Sequence, residues 1–272
     1  MMAFPRLRVH APPRLRVIAP LFLCLFASLP QSPLAAQSAA SWIEAGGFYH
    51  HVTGGFGDWK GGYARAVIAG SRNVWYIDAK AQEAFRDRGV YGSLANVHTF
   101  SSRIYTQVGV GGGSGEFVLP DFRLDASLNV KLGRARSLIL TGGGTLVDAK
   151  SGFTDRALFG SLTWYASGSV LVEGGGRVNW SNPGSVRSAR GTGALSLGRS
   201  GSSLVTLRGS AGTEGYQLTG AAATLREFSS QEAGATWRQW LAGGTGFVLG
   251  AEWYHNPFYT RAGASLGLFH AW

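Results

Sequence analysis

Cysteine is almost missing from this chain: there is one in 272 residues, at position 24. A disulfide framework and a cysteine-built metal site are therefore excluded. Charged residues make up only 15% of the chain. Beyond residue 37 no apolar run reaches the ~20 residues that a membrane-spanning helix needs. If the chain enters a membrane, it does so as strands. The histidines His50, His51, His98, His255 and His270 show no metal-ligand spacing, so neither a metal nor another cofactor is expected. Beyond the first thirty-odd residues no proline-rich or charged linker interrupts the sequence, and its 41 glycines run through that whole part. One domain is the simplest reading.

The first thirty-odd residues differ from the rest. Arg6, Arg8, Arg14 and Arg16 stand there without an acid, followed by a mostly apolar run from Val17 to Leu29. The run is too short to span a membrane, Pro20 interrupts it, and Ala35 and Ala36 follow. This predicts a signal peptide over 1–36, cleaved after Ala36, with the remaining domain at 37–272. Phe22 and Leu23 before Cys24 argue against lipid attachment, which needs small residues there. Removal takes away the only cysteine and four of the 25 basic residues but none of the 15 acids. A moderate basic excess of 21 against 15 remains. An exported chain has no nucleic acid to meet, so anionic sugars and lipid head groups are the expected partners of a basic surface.

From Trp42 onward polarity alternates with period two, which puts successive side chains on opposite faces of a strand. Between Phe122 and Leu132, residues Arg123, Asp125, Ser127, Asn129 and Lys131 share one face, and Phe122, Leu124, Ala126, Leu128, Val130 and Leu132 share the other. Val74 to Gln82 repeats the pattern. Fourteen strands of membrane-crossing length are predicted, at 42–51, 59–69, 73–84, 90–100, 103–111, 121–132, 137–147, 154–165, 168–180, 187–198, 203–214, 229–240, 245–254 and 259–272. Merging one hairpin would leave twelve. Tight connections at 70–72, 101–102, 133–136, 166–167, 199–202 and 241–244 alternate with mostly longer ones at 52–58, 85–89, 112–120, 148–153, 181–186, 215–228 and 255–258. A barrel with short turns on one side of a membrane and loops on the other sorts its connections this way. The predicted fold class is all-β, a transmembrane antiparallel up-and-down β-barrel.

Aromatics cluster near the predicted strand ends. Trp164, Tyr165, Trp237, Trp240 and Trp272 are expected to form one interfacial girdle, and Tyr49, Trp59, Trp180, Trp253 and Tyr259 the other. The last strand carries Ser265, Gly267 and a terminal Trp272, which resembles the C-terminal signal read by the barrel-insertion machinery. His270 departs from it, because a hydrophobic residue is expected there.

The chain also resembles the YaiO family of outer-membrane β-barrels over nearly all of its length beyond the leader. The resemblance rests on Glu44-Ala-Gly-Gly-Phe-Tyr49, on Leu119-Pro-Asp-Phe-Arg-Leu-Asp-Ala126 and on Tyr259-Thr-Arg-Ala-Gly263. It implies an outer-membrane location and a link to envelope glycans. Longer relatives carry helical repeats, which this chain does not have.

No motif carries chemistry, and no catalytic residue is expected. Gly263-Ala-Ser-Leu-Gly267 matches the pattern of a nucleophile elbow, but no helix follows and no acid stands between Ser265 and His270. The glycines at 109–115 lack the Lys-Ser/Thr end of a phosphate loop. Those at 142–144 and 174–176 fall inside strands, where they permit bending or tight packing. What remains is the polar face. Turned inward, it carries Arg65, Lys80, Arg123, Lys131, Arg177, Arg190, Arg208, Arg238 and Arg261 against Asp78, Asp125, Glu173, Glu232 and Glu252. This set predicts either a conduit favouring anions or a self-neutralising network that fills the lumen. Three readings stay open: a pore for an anionic solute or glycan, a barrel enzyme acting on lipid or lipopolysaccharide, and a structural barrel with working loops. The expected partners are outer-membrane lipids and lipopolysaccharide, the insertion machinery, and an anionic glycan or solute.

Overall fold

The computed structural model describes residues 40–217 and 225–272. The expected signal peptide, and the middle of the expected loop 215–228, lie outside these. Fourteen strands follow one another: β1 (Trp42–Val52), β2 (Trp59–Ala69), β3 (Asn73–Ala84), β4 (Asp87–Thr99), β5 (Ile104–Gly113), β6 (Phe122–Leu132), β7 (Leu138–Asp148), β8 (Thr154–Ser167), β9 (Val170–Asn182), β10 (Val186–Gly198), β11 (Ser203–Gln217), β12 (Leu225–Trp240), β13 (Thr245–His255) and β14 (Thr260–Ala271). Each pairs antiparallel with its neighbours in sequence. β1 then pairs with β14, from Trp42 opposite Ala271 to Val52 opposite Arg261, and closes the ring. Closure matters physically, because an unpaired backbone amide or carbonyl in hydrocarbon costs several kcal/mol and a closed barrel has no edge to leave unpaired.

Strand parity divides the wall. On β8, Leu158, Leu162 and Trp164 point out and are exposed, Leu158 by 62%, whereas Ala157 and Thr163 point in and are buried. Ile77, Leu94, Val108, Leu128, Leu140, Leu207, Leu249 and Leu266 continue this exposed apolar surface around the ring. In water so large a patch would drive aggregation; a bilayer is its solvent. On the inward side some rings lie flat against the wall because the facing residue is glycine. A Cβ at Gly143 would stand 2.6 Å from the Phe159 ring, and one at Gly111 would stand 2.2 Å from the Tyr91 hydroxyl.

Two connections are tighter than the sequence suggests. The expected loop 85–89 is a two-residue turn, Phe85–Arg86, with φ of 53° and 70°. Turns with both central residues left-handed match strand twist, but they normally announce themselves with Asn-Gly. Here burial of the Phe85 ring in a loop core offsets the backbone strain. The expected loop 181–186 likewise contracts to 183–185, because β9 and β10 run further than their hydrophobic alternation does. The contrast between short turns and long loops is therefore weaker than expected, resting on 53–58, 114–121, 149–153 and 256–259 among the described residues.

Candidate functional site

The concave face of the barrel gathers the charged side chains. Toward the short-turn end, Glu44, only 1% exposed, accepts a hydrogen bond from Arg238 and lies 4.0 Å from Arg65, which pairs with Asp78 at 3.0 Å. The Arg238 guanidinium also stacks over Trp42 at 4.6 Å and Phe269 at 4.4 Å. Halfway up, Glu252 accepts from Arg208 at 3.0 Å and faces His50 Nε2 at 3.7 Å. Lys80 lies within electrostatic reach of Arg65, Arg261, Glu252 and Asp78. Arg190 is held by Glu214, by Ser210 at 2.8 Å, by Ser230 at 3.0 Å and by Glu232 at 3.3 Å. Across the ring, Arg123 pairs with Asp125 at 2.5 Å, and Thr145 donates to the same carboxylate at 2.8 Å. Thr163 donates to Glu173 at 3.1 Å, Arg177 to Asn179 at 3.1 Å, and the Lys131 ammonium sits 5.7 Å from the Tyr105 ring.

All the charged residues assigned to the polar parity thus stand on one face. Among the described residues four inward acids were missed: Glu44, Asp87, Asp155 and Glu214. Glu44 carries a signal, since it shares parity with Phe48 and His50 in a strand whose other face holds Ile43 and Tyr49. Glu214 sits at the end of β11, beyond the region of clean alternation. With these acids added, nine inward acids stand against nine inward bases among the described residues, so the basic excess that would have favoured anions in a conduit disappears.

The loop end of the lumen holds an apolar core. Val52, Trp59, Ala84, Phe85, Tyr91, Val118, Leu119, Tyr254 and Tyr259 pack there, with Phe48, Phe56 and Phe117 against them. The Phe85 ring meets Trp59 at 5.0 Å and Tyr259 at 5.5 Å. Arg261, 2% exposed, stacks 3.9 Å from the centre of the Trp59 ring. Asp87 pulls the 114–121 loop into this core by accepting the backbone N–H groups of Glu116, Phe117 and Val118 at 2.9, 3.0 and 2.8 Å. Outside the barrel, Asp58 accepts from Tyr49, from Val52 N–H at 3.0 Å, and bonds His51 at 2.9 Å. The Tyr49 hydrogen bond, then the Val52 amide, hold its carboxyl below the usual aspartate value.

These placements correct four of the girdle assignments. Trp59 and Tyr259, 6% and 9% exposed, belong to the loop core rather than the lipid-facing rim. Tyr165 and Trp240 point inward; Trp240 packs edge-on against Phe269 at 5.2 Å. Parity is the reason: neighbours such as Trp164 and Tyr165, or residues three apart such as Trp237 and Trp240, cannot share one face of a strand. Tyr49, Trp164, Trp180, Trp237, Trp253 and Trp272 stand on the outer wall.

A closed antiparallel ring with an apolar exterior and a polar, ion-paired interior defines a transmembrane β-barrel. Residues 41–217 match the YaiO membrane beta barrel domain, and the chain belongs to that family. No curated protein matches the sequence. Among solved structures it resembles the CymD monoaromatic hydrocarbon channel, with a TM-score of 0.58 at 6% identity over 86% of this chain and 88% of that one. It also resembles an outer membrane channel from Pseudomonas putida F1, with a TM-score of 0.54 at 11% identity over 86% and 96%. At these identities the likeness is one of fold.

Proposed function

We propose that this barrel is a non-enzymatic outer-membrane pore for small polar solutes, including envelope sugars and anions, closed at rest by the loop core at its outer mouth. One observation carries the reading: among the described residues, every ion pair of the inner face joins strands no more than three apart around the ring. Charges that pair along a wall line a passage; charges that pair across it would fill one. A wall of alternating acids and bases offers a polar solute successive partners, each too weak to trap it. The channel folds that the chain resembles support the same reading.

Planar-bilayer recording of the refolded protein tests it. Discrete conductance with weak ion selectivity is expected. Arg208→Glu, which sets two carboxylates side by side with Glu252, should shift the reversal potential toward cations. A bilayer that stays closed, both for the wild type and after release of the loop core by Asp87→Ala, would leave a structural barrel as the better account.

A further inference from the structure

We infer that the outer wall at β8–β10 carries a docking site for lipopolysaccharide, with lipid A phosphates held by Arg156 and Arg187 and an acyl chain in the groove below them. The site goes beyond the pore reading and does not depend on it. Trp180 stands opposite Arg156 on one side and opposite Arg187 on the other. All three have outward parity, and both arginines are exposed. The row lies at the loop end, one step beyond the exposed Leu158 on β8, at the height where the apolar band gives way to head groups. Two strand spacings, about 10 Å, separate the arginines, a span suited to two phosphates on one disaccharide head group.

Partnership distinguishes this pair from Lys60 and Arg88 at the same rim. Lys60 and Arg88 also point outward near the loop end, but they share Glu83 at 3.7 and 2.9 Å. Neither Arg156 nor Arg187 makes an ion pair with any described residue; the nearest acid by register is Asp148, opposite Thr154 on β7 and diagonal to Arg156. An unneutralised arginine pair flanking an indole on a lipid-facing wall is complementary to an anionic amphiphile. The loop side, opposite the short turns, faces the outer leaflet in such barrels, and the abundant phosphorylated amphiphile of that leaflet is lipopolysaccharide.

The groove supplies the second half of the match. Gly191 and Gly193 of β10, Gly209 and Ala211 of β11, Ala233 of β12 and Trp253 of β13 line an open depression of about 610 Å³ on the outer wall. Packing within the chain does not demand glycine there: a Cβ at Gly191 or Gly193 would meet nothing nearer than 3.9 and 3.8 Å. The wall is thin on its lipid side below the arginines, where an acyl chain attached to a bound head group would run.

Native mass spectrometry of the refolded barrel, titrated with diphosphorylated lipid A, dephosphorylated lipid A and phosphatidylglycerol, tests the site. Diphosphorylated lipid A should bind best, and Arg156→Gln with Arg187→Gln should weaken it roughly thirtyfold, at about five- to sixfold per lost charge. Lys60→Gln with Arg88→Gln should leave it unchanged. Gly191→Leu with Gly193→Leu should weaken acylated ligand and leave the heat resistance of the folded barrel intact. Equal binding of dephosphorylated lipid A or phosphatidylglycerol overturns the assignment, as does undiminished binding by the double glutamine variant. A dimer that excludes lipid from the groove also overturns it.

Discussion

At the scale of single residues, the most informative side chain is Glu44. It is almost fully enclosed and anchors Arg238 and, more distantly, Arg65. Removing one member of a buried ion pair leaves the other charge uncompensated, at a typical cost of about 3 kcal/mol or more. Glu44→Gln is expected to lower the unfolding free energy of the barrel, measured by denaturant titration, by that much, whereas Lys131→Gln, whose ammonium contacts only a ring among the described residues, should barely move it. Asp58 makes a pH prediction. Its folded value is depressed, so its contribution is fully present above about pH 4, the unfolded aspartate value, and is lost as the pH falls through the lower folded value. Hydrogen exchange at the Val52 amide, measured across that acidic range, should accelerate as the carboxyl protonates. The charged inner face was legible in the sequence because parity is a strict rule. The partners were not, because Arg190 meets Glu232 across an intervening strand and no spacing along the chain encodes that meeting.

At the scale of elements, strands were the easiest thing to read and turns the hardest. Alternation located all fourteen strands because one face must dissolve in lipid and the other must not. The Phe85–Arg86 turn escaped because neither residue favours a left-handed backbone; a ring contact formed only in the folded state holds them there. Replacing the pair with Asn-Gly should keep the hairpin, since that dipeptide suits the turn, yet dissolve the loop core that Phe85 centres. The expected result is an unchanged heat-resistant barrel on gels and faster proteolysis within 114–121. Asp87→Ala should have a similar effect on that loop by another route, since three backbone N–H groups lose their acceptor, each hydrogen bond to a charged group contributing about 1.5–3 kcal/mol. Girdle positions were legible only in part. Composition marks aromatic-rich strand ends but does not say which ring of an adjacent pair faces lipid.

At the scale of the whole molecule, the closing seam between β1 and β14 joins Trp42 to Ala271. It sets an order of events in time. The first strand to be made has its partner on one side only in the last, so for the whole interval between them the growing sheet carries two raw edges. No intermediate stage can be both embedded and complete, because every shorter sheet exposes unpaired amides to hydrocarbon. Assembly must therefore wait until the chain is finished, and something must shield those edges meanwhile. A variant ending before Thr260 should keep its hairpins but fail to insert, recovered as aggregate rather than as a smaller barrel, and supplying β14 as a separate peptide should rescue it. A ring, unlike a stack, has no useful partial product.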